Sequence, residues 1–297
     1  MSTYKSLLET IRLPFLVLTP ACVILGVGTA YWQDSDVNWF HILLVFIGAL
    51  SAHISVNTFN EYFDFKSGLD SKTQPTPFSG GSGMLPVHPE MERATLTLAW
   101  ASFTLSTIIG IYFVWLRGWQ LLPIGLLGLF LLVTYTIWWT YHPVLCLIAP
   151  GLGFGILMVL GTHFALTGTL SMPAFIASLV PAFLVSDLLL LNQFPDVEAD
   201  QSIGRKDFPI TIGRKSSSIL YGFLLLLAYT SIIVGVILEL LPIYSLIALL
   251  TAILAWLAYR RVSQNTNNIP DLIPAMGMNV IIVLTTPILL SIGLFIG

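Results

Sequence analysis

Long apolar runs separated by short polar breaks make up most of the chain, at about 14–31, 40–62, 94–115, 121–140, 143–166, 173–194, 216–238, 242–259 and 272–295. Each run is close to the ~20 residues a helix needs to cross a hydrocarbon core, and each is apolar on most faces, whereas barrel strands would alternate over ~10 residues. The pattern predicts an all-α polytopic membrane protein of about nine transmembrane helices, in a single domain over residues 1–297. Lys5 and Arg12 precede the first run as they would in a cleavable leader. That run leads straight into a multi-span chain without an evident small-residue cleavage site, so it is expected to be a retained helix.

Composition agrees with a chain immersed in lipid. Hydrophobic residues make up 56% of the sequence and charged residues only 9%, where a soluble domain carries about 25% charge. Sorting the basic residues by alternate loops puts eleven of the twelve on one side, with Arg117 alone on the other. By the positive-inside rule the amino terminus and the loops after the second, sixth and eighth spans face the cytoplasm, and the expected location is a prokaryotic inner membrane. The net charge is −3 with no basic block, which excludes nucleic acid as a partner, and no feature calls for an obligatory protein partner. Cys22 and Cys146 lie in apolar runs without metal-ligand spacing and read as packing residues.

Two loops on the basic side are long, and they hold most of the carboxylates. At the end of the second span His53, Asn57, Asn60 and Asp64 are spaced 4, 3 and 4, a single polar stripe on an apolar helix; Glu61 lies beside it and Asp70 follows. At the end of the sixth span Asn192, Asp196 and Asp200 are spaced 4 and 4, again on one face. Both clusters read NxxxD followed by a further Asp, four spans apart, which suggests a duplicated four-helix unit. A carboxylate at a bilayer centre costs about 2.5–3.5 kcal/mol, so acidic clusters at a membrane edge call for a cation. Carboxylate and Asn oxygens suit Mg²⁺, which typically bridges one or two carboxylates to substrate phosphates. Two such clusters facing each other would grip a diphosphate, with Lys72, Arg205 and Lys206 near its remaining oxygens.

The segments NTFNEYFDFKSGLD and NQFPDVEADQSIGRKDFPITIGRK resemble the two Asp-rich signatures of the UbiA superfamily of intramembrane prenyltransferases. The NEYFDxKSGxD spacing, the FSGGSGMLP loop and the PDxEAD form look most like the branch that prenylates 1,4-dihydroxy-2-naphthoate in menaquinone biosynthesis. The resemblance implies nine helices around a cavity open to lipid, with a polyisoprenyl diphosphate and an aromatic acceptor as substrates. It implies Asn60, Asp64 and Asp70 as one Mg²⁺ cluster and Asn192, Asp196 and Asp200 as the other, with Lys72 and Arg205 or Lys206 on the diphosphate. Turnover is expected to depend above all on Asp64 and Asp196. Many members of that branch carry a basic and an acidic residue after the fourth span, where this chain reads YHPVLCLIAPGLGFG, with Ala149, Pro150 and Phe154 at those positions.

Other residues admit two readings. Asn57 suits either substrate binding or an interhelical hydrogen bond, and His53 either packing or a base. Tyr135 reads as an interface-belt aromatic and Tyr141 as a pocket residue. Asp187, five residues before Asn192, falls off the metal face. Alternatives to the naphthoate enzyme are a relative with another acceptor, a terpene cyclase, or a cation-coupled transporter. Against the transporter, the carboxylates gather at one membrane face, whereas transporter ion sites lie near the midplane.

Overall fold

The computed structural model describes residues 3–33, 36–73 and 76–297, with side chains from residue 7 onward, so Lys5 of the basic tail lies outside the described side chains. After a short helix Thr3–Thr10, nine longer apolar helices follow among the described residues: α1 Leu13–Gln33, α2 Trp39–Ser67, α3 Pro89–Arg117, α4 Trp119–Thr134, α5 Pro143–Thr167, α6 Met172–Ser202, α7 Gly213–Ile237, α8 Ile243–Gln264 and α9 Ile269–Ile296. All but α4 are long and apolar enough to cross a membrane. No strand occurs among the described residues.

The expected fourth span, 121–140, is the one whose end differs most in kind. Its helix stops at Thr134, and a turn leads into a tight helical turn at Trp139–Tyr141. The stretch TYTIWWTY is aromatic and β-branched, apolar enough to prolong a hydropathy window but poor at holding a helix. His142 precedes Pro143 and is extended, at φ −128° and ψ 111°, as the proline ring demands. Two other helices outlast their apolar runs. The second runs past residue 62 to Ser67, and the sixth runs past 194 to Ser202. The carboxylate clusters therefore ride on rigid helical extensions.

The first and sixth helices are the most buried spans and the third is the least. Around that centre α6 packs on α5, α7 and α9, α1 packs on α5 and α9, and α2 pairs with α3. Outward-facing Ile108, Ile111 and Trp115 of α3, with Leu126 and Phe130 of α4, present the apolar surface expected toward lipid. In α5, Pro150 removes one backbone donor, and the following turn, Gly151–Leu157, widens to π-helical geometry. Gly151 and Gly155 then lie directly on α6. A Cβ at Gly151 would come within 2.1 Å of the Ala182 carbonyl oxygen, and one at Gly155 within 2.3 Å of the Ala182 nitrogen. Only glycine lets the two backbones approach so closely.

Candidate active site

The extended ends of α2 and α6 frame a cavity of about 340 Å³, lined also by Leu69, Asp70 and Thr73, by residues 77–81 and by α9. Gly68, at φ 78°, ends α2, and the Leu69 N–H closes back on the Asp64 carbonyl at 3.0 Å, which turns Asp70 toward the helix it follows. On the other side Gly204, at φ 84°, reverses the chain after α6, so that the Arg205 N–H donates to the Asp200 carbonyl at 3.1 Å. The Arg205 guanidinium thereby reaches both clusters, donating to Asp64 and, at 3.0 Å, to Asp200 Oδ1. Two acidic helix ends from distant parts of the chain are thus bridged by one cation.

A second buried ion pair stands behind the first. Glu61 is fully buried; it accepts from Arg12 Nε at 2.6 Å and from the backbone N–H and hydroxyl of Ser82 at 2.8 and 2.6 Å. This carboxylate pins the glycine-rich loop over the cavity. Ser79 of that loop donates to Asp196 Oδ1 at 3.4 Å. A Cβ on Gly81, at φ +72°, would lie 3.1 Å from Asp70 Oδ1, so both backbone conformation and space require glycine there.

Of the residues singled out in the sequence, Asn57, Asn60, Asp64 and Asp70 line this cavity from α2 and its loop, and Asn192, Asp196, Asp200 and Arg205 line it from α6 and its turn. Lys72 and Lys206 are exposed, Tyr141 is half-buried, and none of the three lines either cavity described here. Asp187 is fully buried, lines neither cavity, and neither carboxylate oxygen has a hydrogen-bond partner among the described residues. Both cysteines are free and buried; Cys146 reaches the cavity wall and accepts from Gln193.

Among the lining residues outside the sequence-derived site are Arg12, Tyr135 and Asp207. Arg12 reads in sequence as a topological charge. The signal for it was the carboxylate beside the stripe, Glu61, which once buried demands a cation from a neighbouring span. Asp207 accepts from the Ile210 N–H at 2.8 Å and so caps the short turn Phe208–Thr211.

The donor set suits a hard divalent cation. Asp70 Oδ2 and Asn192 Oδ1 are buried acceptors with no hydrogen-bond partner among the described residues. Burial, followed by the charges of Asp64 and Glu61, pushes the Asp70 carboxyl up to about 7. Among the described residues no three carboxylates converge tightly enough to hold an ion alone, and the Arg205 guanidinium bridges Asp64 and Asp200. An ion bound there needs ligand oxygens from a phosphate as well, which is the usual situation for Mg²⁺.

A second cavity of about 570 Å³ adjoins it, lined almost wholly by apolar side chains of α2, α3, α4 and α5. It shares His53, Asn57, Asn60, Tyr135, Pro150, Phe154 and Leu189 with the acidic cavity. Ala149, Pro150 and Phe154, which replace the charges anticipated after the fourth span, line its wall.

A bundle of membrane-length apolar helices that sets an acidic, arginine-bridged chamber beside an apolar one belongs to the class of polytopic helical membrane proteins with an internal amphipathic site. Within that class the chain belongs to the UbiA prenyltransferase family, whose model matches residues 20–279. It is 31% identical over 211 residues to the 1,4-dihydroxy-2-naphthoate octaprenyltransferase of Bacillus subtilis, a match covering 70% of this chain and 66% of that one. Among solved structures it resembles the apo UbiA homologue from Aeropyrum pernix K1, with TM-score 0.72, 16% identity, and 95% and 98% of the two chains covered. It also resembles a UbiA homologue from Archaeoglobus fulgidus bound to DMAPP and Mg²⁺, with TM-score 0.63, 16% identity, and 97% and 99% covered.

Proposed function

We propose that this protein transfers a polyprenyl group from its diphosphate to 1,4-dihydroxy-2-naphthoate, as the menaquinone pathway requires. The observation that carries the proposal is the adjacency of the two chambers, which share His53, Asn57, Asn60 and Tyr135 among their lining residues, because a prenyl diphosphate must place its head among charges and its tail among apolar side chains at once. The B. subtilis relative supports the choice of acceptor. Asn60, Asp64 and Asp70 on one side and Asn192, Asp196 and Asp200 on the other would hold Mg²⁺, which when bound neutralises the charge that builds on the departing diphosphate. Arg205 and Arg12 contribute fixed positive charge to the same chamber. The apolar chamber keeps water from the allylic cation until a ring carbon of the acceptor attacks it. The excess of basic residues at the acidic end supports a cytoplasmic position for that chamber in a prokaryotic inner membrane.

Purified protein in lipid nanodiscs, given a prenyl diphosphate, Mg²⁺ and a panel of naphthoate, benzoate and homogentisate acceptors, tests this by mass spectrometry of the products. The expected result is a prenylated naphthalene that has lost CO₂, abolished by EDTA and restored by Mg²⁺. Preference for another acceptor, or full activity in EDTA, overturns the corresponding part of the proposal.

A further inference from the structure

The residues that line both chambers include His53, Asn57, Asn60, Tyr135 and Phe154. If the prenyl tail occupies one and the diphosphate the other, the breaking C–O bond lies at this junction, and the acceptor carbon must arrive there too. None of Asp64, Asp70, Asp196 or Asp200 lines the apolar chamber, and the titratable side chains common to both are His53 and Tyr135. The two asparagines already have protein partners. Asn57 Nδ2 donates to the Ile11 carbonyl and Asn60 Oδ1 accepts from Thr136, each at 2.9 Å.

His53 is held but not used up. It is 4% exposed, its ring meets Phe154 edge to face at 4.5 Å between centroids, and its Nδ1 lies 2.7 Å from Thr19 Oγ1. Its Nε2 has no hydrogen-bond partner among the described residues. The Thr19 contact admits either tautomer; in the one with the proton on Nδ1, donated to Thr19 Oγ1, Nε2 presents a lone pair, and this is the tautomer in which Nε2 is the base.

We propose that His53 Nε2 takes the proton of the acceptor's ring hydroxyl as the adjacent carboxyl-bearing carbon attacks the prenyl cation, and gives that proton back when carbon dioxide leaves. This rests on the naphthoate reading. The C–O bond to the diphosphate breaks with its electron pair on the diphosphate. A ring π pair forms the new bond to the prenyl carbon while the O–H pair becomes the C=O of a ring ketone, and the proton goes to Nε2. The carboxylate, now on a tetrahedral carbon with four single bonds next to that ketone, leaves as CO₂. Its electron pair restores the aromatic ring and the oxygen recovers the proton from Nε2. No proton is gained or lost overall, so a buried histidine with a single hydroxyl partner suffices and no relay to solvent is required.

The test separates ionisation from transfer in His53→Gln. The expected outcome is a kcat for transfer about 100-fold lower, in the range for loss of a general base, with diphosphate release from donor alone and the acceptor KM within about twofold of wild type. An acceptor O-methylated at that hydroxyl has no proton to give, so wild type and His53→Gln should process it equally slowly. Transfer at the wild-type rate in His53→Gln, or a parallel loss of diphosphate release, overturns the proposal. If His53→Gln fails to accumulate as folded protein, Thr19→Val decides the matter: lower transfer with intact diphosphate release supports it, and full transfer refutes it. A wild-type protein that releases diphosphate but prenylates no naphthoate would instead bring down the functional reading on which this one stands.

Discussion

At the scale of single residues, Asp70 makes the site's chemistry depend on pH. Its carboxyl, pushed up to about 7 by burial and then by Asp64 and Glu61, is mostly protonated at pH 6 in the metal-free site. A ligand oxygen must be deprotonated to bind a cation, so affinity should rise with pH through this range. The expected outcome is an apparent Mg²⁺ Kd that falls about tenfold per pH unit below 7 and levels off above it. Titrating Mn²⁺ as a paramagnetic substitute between pH 5.5 and 8 measures it, and a pH-independent affinity would refute the role given to Asp70. The stripe that leads to this residue was legible because helical spacing is a property of sequence alone. Arg12 was not, since its partner Glu61 stands 49 residues away and only folding brings them together. Tyr135 was read as an interface aromatic because the sequence does not show where its helix ends. The stop at Thr134 turns its ring into the junction instead.

At the scale of elements, the widened turn of α5 is held against α6 by glycine. Gly155→Val places two methyl groups where the Ala182 backbone already stands, and should destabilise the bundle by about 1–3 kcal/mol through overpacking. Gly153 sits in the same π-helical turn but faces the apolar chamber, with nothing within 4 Å of an added Cβ. Gly153→Ala should therefore leave stability within about 0.5 kcal/mol of wild type. Thermal unfolding of both variants in one detergent compares them directly, and equal losses would show that contact with α6 is not what selects glycine. The number and order of helices were legible from apolar runs of membrane length. The π-helical turn was not, because hydropathy carries no information about backbone winding, and the extensions of α2 and α6 escaped notice because a hydropathy window ends where polar residues begin.

At the scale of the whole molecule, one chamber receives side chains from both long loops, so those loops must share a face of the membrane. Ser71 and Gln201 are exposed at the acidic end, and Leu170, in the turn between α5 and α6, is exposed at the other. Single cysteines at 71 and 201 should react with an impermeant thiol reagent from the same side, and one at 170 from the opposite side. The two native cysteines are buried and should contribute little background. Labelling of 71 and 201 from opposite faces would be incompatible with the chamber itself. The asymmetry of basic residues already pointed to this arrangement from sequence. What it concealed is that Arg12 and Arg205, counted there as markers of orientation, are ion-paired within the acidic end.

The Asp64–Arg205 pair also bears on how the protein is made. The two residues are 141 positions apart, so when α2 leaves the ribosome the guanidinium that will neutralise Asp64 has not been synthesised. Through the insertion of four further helices the carboxylate has to be kept hydrated. A site near the bilayer centre would expose the nascent chain to the full cost of an unpaired acid in hydrocarbon, whereas the end of a helix lets water serve until the partner emerges. The placement of the acidic cluster at the membrane's edge thus satisfies the growing polypeptide as well as the finished one.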